Sequence, residues 1–167
     1  ADGSIRKNSL DDFKKIQANG KIAMKLKNGN SIVGVKLCTD EDDILLSTNK
    51  GKCIRTPVSK LRTTKSRSSM GVRGIKLRDG DKVVGASTSR EETLLFITAK
   101  GYGKRTKLEE FRRAGRGGMG VKALKVTENK GDLVGARSVD EDTEVMLMST
   151  GGTAIRCAVK QIKQMSR

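Results

Sequence analysis

The chain has 167 residues, of which 35% are hydrophobic and 32% charged, and its 35 Lys and Arg against 19 Asp and Glu give a formal net charge of +16. This apolar content is enough to bury a core, so composition favours a globular chain of one or two domains over a disordered one. The positive charge favours a polyanionic partner, and nucleic acid is the first candidate.

The same composition argues against several other kinds of site. The chain has no His, and its three cysteines (Cys38, Cys53 and Cys157) lie far apart, so neither a zinc-ligand spacing nor a Cys/His nucleophile pair is available. Isolated cysteines are typical of a reducing cytosol. No apolar run approaches the roughly 20 residues that span a bilayer, and the first residues lack the apolar stretch of a signal peptide. We therefore expect no metal site and no membrane association.

An internal repeat organises the chain. Gly3, Gly51, Gly101 and Gly152 stand 48, 50 and 51 residues apart, and each begins a copy. We therefore treat residues 1–167 as a single repeat domain, with copies at approximately 3–50, 51–100 and 101–151 and a partial copy at 152–167. Because the fourth copy stops early, we expect either an excised fragment or one blade completed by strands from both ends.

The first part of each copy predicts a strand followed by one helical turn. Four positions after the first glycine stands a basic residue: Lys7, Arg55, Arg105 or Arg156. Next comes an apolar pair with i, i+3 spacing, which indicates the helical turn. The pairs are Leu10/Phe13, Val58/Leu61, Leu108/Phe111 and Val159/Ile162.

Three more strands are predicted in the rest of each copy. A second glycine opens an apolar segment at 20–24, 71–75 and 120–124. A strand with a central glycine follows at 32–35, 83–86 and 133–136, and the glycine predicts a bulge or a close backbone approach. After an acidic turn comes a continuously apolar strand at 44–46, 94–97 or 145–148, which we expect to be buried on both faces.

Four short strands per roughly 50 residues are typical of a propeller blade, in which stacking covers the apolar faces of each unit. We therefore predict an all-β, propeller-like array of about three four-stranded blades. The alternative is a generic antiparallel sandwich whose glycine spacing is accidental. It would have to explain four copies in which the glycine, the basic residue and the apolar pair keep one register.

Charge is segregated by its position within the repeat. The four copies carry +2, +8, +2 and +4, and residues 52–78 hold nine basic side chains and no acidic one. Acidic residues cluster instead just before the buried strand, at 40–43, 91–92 and 140–144. Copies stacked in register would align the basic segments into one band and the acidic turns into another zone.

A continuous basic band fits the backbone of a bent duplex. Exposed aromatic platforms, which bind single strands by stacking, are scarce, because the chain has one Tyr, three Phe and no Trp. No recognition-helix pattern is present, so we expect affinity from phosphate contacts and any preference from DNA bendability. The predicted DNA contacts are Arg55, Lys60, Arg62, Lys65, Arg67, Arg73, Arg105, Arg112, Arg113, Arg116 and Arg156. The alternative for each is a cation that merely solvates a loop.

Four segments of the sequence are distinctive: Gly101-Tyr102-Gly103-Lys104-Arg105-Thr106, Gly71-Val72-Arg73-Gly74-Ile75, Gly80-Asp81-Lys82-Val83-Val84 and Lys125-Val126-Thr127-Glu128. They resemble the C-terminal domain of the bacterial DNA gyrase A protein more than that of its paralogue in topoisomerase IV. The resemblance covers nearly the whole chain. It implies a six-bladed, strand-exchanged propeller called a β-pinwheel, whose basic perimeter wraps double-stranded DNA, and of which this chain would be about half.

The resemblance also implies the setting in which the domain works. Wrapping would present a crossing DNA segment with one handedness, so that ATP-driven strand passage introduces negative supercoils. The partners would be duplex DNA, the rest of gyrase A and the gyrase B protein, in the bacterial cytoplasm at the nucleoid. ATP and Mg would bind elsewhere in the parent enzyme, leaving this part without cofactor or catalytic residue. The catalytic tyrosine of the family belongs to another domain, so Tyr102 is not its equivalent.

The family also has a box rich in glycine and basic residues that is needed for wrapping. Its nearest counterpart here is Arg116-Gly117-Gly118-Met119-Gly120, preceded by Arg112 and Arg113. Met119 replaces a basic residue, so we interpret this loop as a degenerate relative, with the genuine box upstream. The alternative is a flexible loop between blades, since glycines serve turns anyway.

Two other functions compete with DNA binding. A protein-interaction propeller also fits repeats near 50 residues, but it leaves the acid-free span 52–78 unexplained. A stand-alone enzyme lacks support, because the sequence has no His, no phosphate-loop signature and no paired carboxylate motif.

Overall fold

The computed structural model describes residues 1–15, 17–27, 29–65 and 69–167. In these ranges the chain forms short strands and 3₁₀ turns, and no α-helix. The strands are β1 (Ser4–Ile5), β2 (Asp43–Thr48), β3 (Lys52–Pro57), β4 (Val72–Arg73), β5 (Val83–Thr88), β6 (Thr93–Thr98), β7 (Gly103–Lys107), β8 (Val121–Lys122), β9 (Leu133–Val139), β10 (Glu144–Met148) and β11 (Ala154–Ala158).

The strands form four antiparallel sheets, which we call blades 1 to 4. Blade 1 is β1–β4, blade 2 is β5–β2–β3–β8, blade 3 is β9–β6–β7 and blade 4 is β10–β11. The chain exchanges strands between blades. Strand β4 follows β3 in the sequence but pairs with β1 of blade 1, and β8 follows β7 of blade 3 but pairs with β3 of blade 2. The prediction of an all-β, propeller-like array is confirmed.

The core lies between the blades. Along β2, Leu45 faces the cluster that includes Leu94 and Phe96 of blade 3. Its neighbours Ile44 and Leu46 belong to a second cluster, on the side of blade 1. Every residue of β2 is buried, so this strand has the predicted burial on both faces. Each blade therefore depends on its neighbours to remove its apolar faces from water.

The central glycines mark the inner edge of the array. Pairing of β2 with β5 shifts register between Ser47 and Thr48, beside Gly85, and pairing of β6 with β9 shifts in the same way. A Cβ on Gly85 would lie 2.8 Å from the Ala136 carbonyl oxygen of blade 3. The predicted bulge and close approach therefore both occur. Strands β5 and β9 lie against each other, which leaves β4 and β8 on the opposite, outer edges.

The apolar pairs form the predicted helical turns, and all of them are 3₁₀ turns. In three copies the backbone N–H of the second apolar residue donates to the carbonyl of the first, at 3.0 to 3.1 Å. The turns are Leu10–Phe13, Val58–Lys60, Leu108–Glu110 and Val159–Gln161.

Two sets of strand predictions are wrong at the ends of the array. Residues 22–24 and 32–35 form no strand. In the next copies the corresponding residues pair with β2 or β3 or with their equivalents, and no equivalent strand is described beside residues 22–24 and 32–35. Strand β10 is not buried on both faces, since Met146 and Met148 are 62% and 75% exposed. It has a neighbouring described blade on one side only.

No helix in the described part of the chain is long and apolar enough to cross a membrane.

Gly51 and Gly101 begin equivalent copies but have different surroundings. Both have positive φ, +76° and +80°. A Cβ on Gly51 would lie 2.2 Å from the Leu124 carbonyl oxygen, whereas one on Gly101 would meet nothing within 4 Å. Gly51→Ala therefore combines left-handed strain with a clash against backbone, and Gly101→Ala has the strain alone.

We expect Gly101→Ala to lower the free energy of unfolding by about 1 kcal/mol, and Gly51→Ala to lower it by about 2 kcal/mol more. Denaturant unfolding of both variants measures the difference. Equal losses of unfolding free energy would mean that the backbone around Leu124 moves to accept the new methyl group, and would contradict a tight contact between Gly51 and Leu124.

Candidate nucleic-acid interface

The 3₁₀ turns and the segments that follow them carry many of the predicted DNA contacts at the surface. Lys60, at the end of the second turn, is exposed, as are Arg62 and Lys65 after it. Arg112 and Arg116, after the third turn, are also exposed. None of these five forms an ion pair with another described residue. They are therefore available to an external anion. Arg67, also predicted, lies outside the described residues.

The glycine-rich loop that precedes β8 links the outer edges of blades 1 and 2. The Gly117 N–H donates to the Gly74 carbonyl at 2.6 Å, and the Lys76 N–H donates to the Gly118 carbonyl at 2.9 Å. Arg116 Nη1 donates to the Arg73 carbonyl at 3.4 Å. The loop thus joins β4 and β8, and it brings Arg73, Lys76 and Arg116 to one place. Whether it acts as a box stays a prediction.

The outer edge also carries a pair of lysines absent from the predicted set. Lys52 of β3 lies directly opposite Lys122 of β8. Opposed residues of an antiparallel pair project from the same face with Cβ atoms about 5 Å apart, and like charges there repel. Neither ammonium forms an ion pair with a described residue. Alignment of the copies could have indicated this position, since Lys122 and Arg73 both stand two residues after a strand-opening glycine.

We define the outer cation strip as the five basic residues that these contacts bring together on the outer edges of blades 1 and 2. Four of them are exposed and Lys52 is half-buried. The strip consists of Lys52, Arg73, Lys76, Arg116 and Lys122.

The basic residue repeated after each first glycine has a different environment. Arg55 donates from Nε to Asp43 Oδ2 at 2.6 Å and from Nη1 to the Leu108 carbonyl at 2.9 Å. Arg105 is 5% exposed, and its Nε donates to the Ile162 carbonyl at 2.8 Å. These side chains connect one blade to the 3₁₀ turn of the next by hydrogen bonds. Arg55 and Arg105 therefore have a structural role, and the candidate interface does not include them.

Arg156 occupies the equivalent position in blade 4, where no following blade is described. Its side chain is 69% exposed and pairs with Glu144. Arg113 is intermediate, because its side chain is 59% exposed while its Nε donates to buried Asp43 at 2.8 Å. Position in the repeat therefore identified cations of two kinds, and it could not separate buried side chains from exposed ones.

The acidic turns lie at the other end of the sheet from the outer strands. Strand β8 pairs with β3 at Lys52 and Cys53, whereas Asp43, the last residue of the acidic segment 40–43, pairs with Pro57. Four residues of strand separate the two places by about 13 Å. Several carboxylates there pair with cations of the protein itself, among them Asp40 with Lys7 and Asp42 with Arg90. A hydrogen bond from Arg90 lowers the pKa of Asp42, which keeps that side chain ionised.

Comparison with known proteins gives the chain its relatives. The family model described as the DNA gyrase C-terminal domain, beta-propeller, matches residues 1–39, 42–90, 92–140 and 143–167. The DNA gyrase A protein of Staphylococcus epidermidis is 39% identical over 168 residues, and that of Staphylococcus aureus is 36% identical over the same length. Each alignment covers 99% of this chain and 19% of the relative, so the chain spans about a fifth of the proteins it matches.

Solved structures agree on the fold. A DNA gyrase A C-terminal domain superposes with a TM-score of 0.89 and 27% identity, over 99% of this chain and 56% of that one. The C-terminal domain of a DNA topoisomerase IV superposes with a TM-score of 0.91 and 24% identity, over 99% and 52%. The second likeness concerns the fold alone.

The two environments of the repeated arginine make a direct test. Arg55→Ala removes one partner of a fully buried carboxylate, so we expect it to lower the free energy of unfolding by about 3 kcal/mol. Arg156→Ala removes an exposed pair at the equivalent position, and we expect a loss below about 1 kcal/mol. Denaturant unfolding measures both. Similar losses of unfolding free energy in the two variants would contradict the assignment of Arg55 as a stabilising contact between blades.

Proposed function

The chain belongs to the family of DNA gyrase C-terminal domains, and on this basis we propose that it binds duplex DNA along its outer surface and bends the duplex around it. The observation that carries this proposal is the outer cation strip. Its members form no ion pair with another described residue. A polyanion can therefore neutralise their positive charge.

Counterion release supplies the affinity. A duplex releases condensed counterions when Lys and Arg neutralise its phosphates, so binding weakens steeply as salt rises. Contacts of this kind carry no sequence information. The binding is therefore sequence-tolerant, with any preference set by how readily a sequence bends. The cations of the strip lie along the outer edges of two successive blades, so a duplex that contacts further blades in the same way would have to follow these edges, which supports bending.

Double-stranded DNA fits better than single-stranded DNA. Binding of single strands relies on exposed aromatic side chains that stack on bases. Phe96 and Phe111 are buried here, and they pack on each other with ring centroids 6.0 Å apart. Tyr102 is the one large aromatic side chain exposed in the described ranges. A single ring is not a stacking platform.

In the parent protein, the wrapped duplex would support negative supercoiling by a type IIA topoisomerase. The domain would position a DNA segment of one handedness for strand passage. Passage itself would use ATP and Mg bound elsewhere, in gyrase A and its gyrase B partner, in the bacterial cytoplasm. The residues of this chain would set the path of the duplex and would carry out no chemical step.

Removal of strip charges tests the location of the interface. For Arg73→Ala/Arg116→Ala we expect the slope of log affinity against log salt to become shallower by about 2, one unit per lost phosphate contact. The matched control is Lys50→Ala/Lys107→Ala, which removes the same charge from cations already paired with Asp132 and Glu109. Fluorescence anisotropy with a duplex of about 20 base pairs across a salt series measures both.

An equal change in the two double variants would mean that net charge alone drives binding and would contradict a defined strip. Failure of the unmodified chain to bind DNA at low salt would overturn the proposed function. It would favour the remaining candidate, a propeller that binds protein partners.

Duplex length separates bending from simple binding. We expect a duplex of about 150 base pairs, near one persistence length, to bind more tightly per site than one of about 20 base pairs. We also expect relaxed circular DNA, closed in the presence of the chain, to retain writhe. Equal affinity per site without writhe would show that the described blades bind a duplex but do not wrap it.

A further inference from the structure

Asp43 stands between two arginines at the junction of blades 2 and 3. The carboxylate is fully buried, and its Oδ2 accepts from Arg55 Nε at 2.6 Å and from Arg113 Nε at 2.8 Å. Arg55 belongs to the β3 strand of blade 2, and Arg113 follows the 3₁₀ turn after β7 of blade 3. The Ala114 N–H also donates to the Arg55 carbonyl, at 2.8 Å. The group of three therefore holds the junction with a net charge of +1.

The equivalent junctions lack the second arginine. Lys7, Arg55 and Arg105 each form a parallel bridge to the residue two positions after the apolar pair of the next copy, and those residues are Thr63, Arg113 and Gln164. Thr63 and Gln164 carry no charge. In the described part of the chain, the junction of blades 2 and 3 is therefore the one where a cation at this position reaches both the interior and the surface.

We propose that Arg113 couples phosphate binding on the outer surface to the stability of the junction between blades 2 and 3. This inference rests on the proposed DNA-binding function and adds to it. A guanidinium has five N–H donors in a rigid plane. Nε of Arg113 is occupied by Asp43, and the other nitrogens have no partner among the described residues, in a side chain that is 59% exposed. Arg113 can therefore hold Asp43 and a phosphate at once.

The electrostatics of the three groups favour this bridge. Two guanidinium groups face one carboxylate, so one positive charge has no internal counterpart. A DNA phosphate supplies the missing negative charge, and it fixes the Arg113 side chain in the position that also contacts Asp43. We call the junction closed when Asp43 and Arg113 are in contact. By linkage, if the closed junction binds DNA more tightly by some factor, bound DNA raises the equilibrium constant for closing by the same factor.

Amide hydrogen exchange measures the junctions one by one. Thr64, Ala114 and Met165 each donate a backbone N–H at 2.8 Å across successive junctions, to the carbonyls of Lys7, Arg55 and Arg105. With a duplex of about 20 base pairs at saturation, we expect the protection of the Ala114 amide to rise about fivefold more than that of the Thr64 and Met165 amides. Equal rises at the three amides would overturn the proposal.

Arg113→Lys gives the second arm, because an ammonium keeps the charge but cannot span both partners as a planar fork does. We expect it to lower DNA affinity roughly fivefold and to abolish the extra protection of Ala114. Arg112→Lys is the matched comparison, since Arg112 is an exposed neighbour without an acidic partner among the described residues, and we expect it to cost at most about twofold.

Thermal unfolding without DNA, recorded for both variants, separates folding from coupling. If Arg113→Lys remains folded and the two lysine variants lose affinity equally, Arg113 is an ordinary surface cation and the proposal fails while DNA binding stands. If the unmodified chain does not bind the duplex, the proposed function itself fails. If Arg113→Lys does not fold, exchange in the unmodified chain still decides, through the contrast between Ala114 and the other two amides.

Discussion

The exchange of strands between neighbouring blades is the constraint on which the rest of the structure depends. A β2–β3 hairpin cannot complete its own sheet, because its outer neighbour β8 comes from the next copy. The chain must therefore cross the outer edge between blades once per repeat. Each crossing carries the segment after a 3₁₀ turn along the perimeter, and that segment holds the exposed arginines and lysines. Topology thus places the cations before any partner is considered.

Two kinds of cation perform two tasks, and depth separates them. Arg55 and Arg105 lie between blades and donate to carbonyl oxygens at the following 3₁₀ turn, so a partner outside the protein has no access to those groups. Members of the outer cation strip have no acidic partner among the described residues that would compete with a phosphate. A chain with this excess of positive charge repels itself, and pairing at Asp43 and Glu141 relieves part of that repulsion where the blades meet.

Periodicity predicted much of this fold, and it failed where the outcome depends on a distant partner. The turns at Val58 and Leu108, the buried strand at 44–46 and the bulge at Gly85 follow from local pattern, since spacing and residue type decide them. Residues 32–35 share the pattern of β5, yet a strand needs a ladder partner and none is described beside them. Arg55 and Arg62 cannot be told apart in the sequence, because burial depends on the next copy. The opposed pair Lys52 and Lys122 required the register of β3 and β8.

Stability and binding are linked through the same charges. Lys52 and Lys122 lie opposite each other with no carboxylate of the described residues to offset their repulsion, which costs the free chain stability at this edge. In the proposed complex, duplex phosphates would remove that repulsion, and counterion release would add to the gain. Since β8 comes from the copy after that of β3, a phosphate between these lysines in the proposed complex would also hold one repeat to the next. It would act on the outer edge as Asp43 does inside, because in both places one negative charge is shared by cations of two copies.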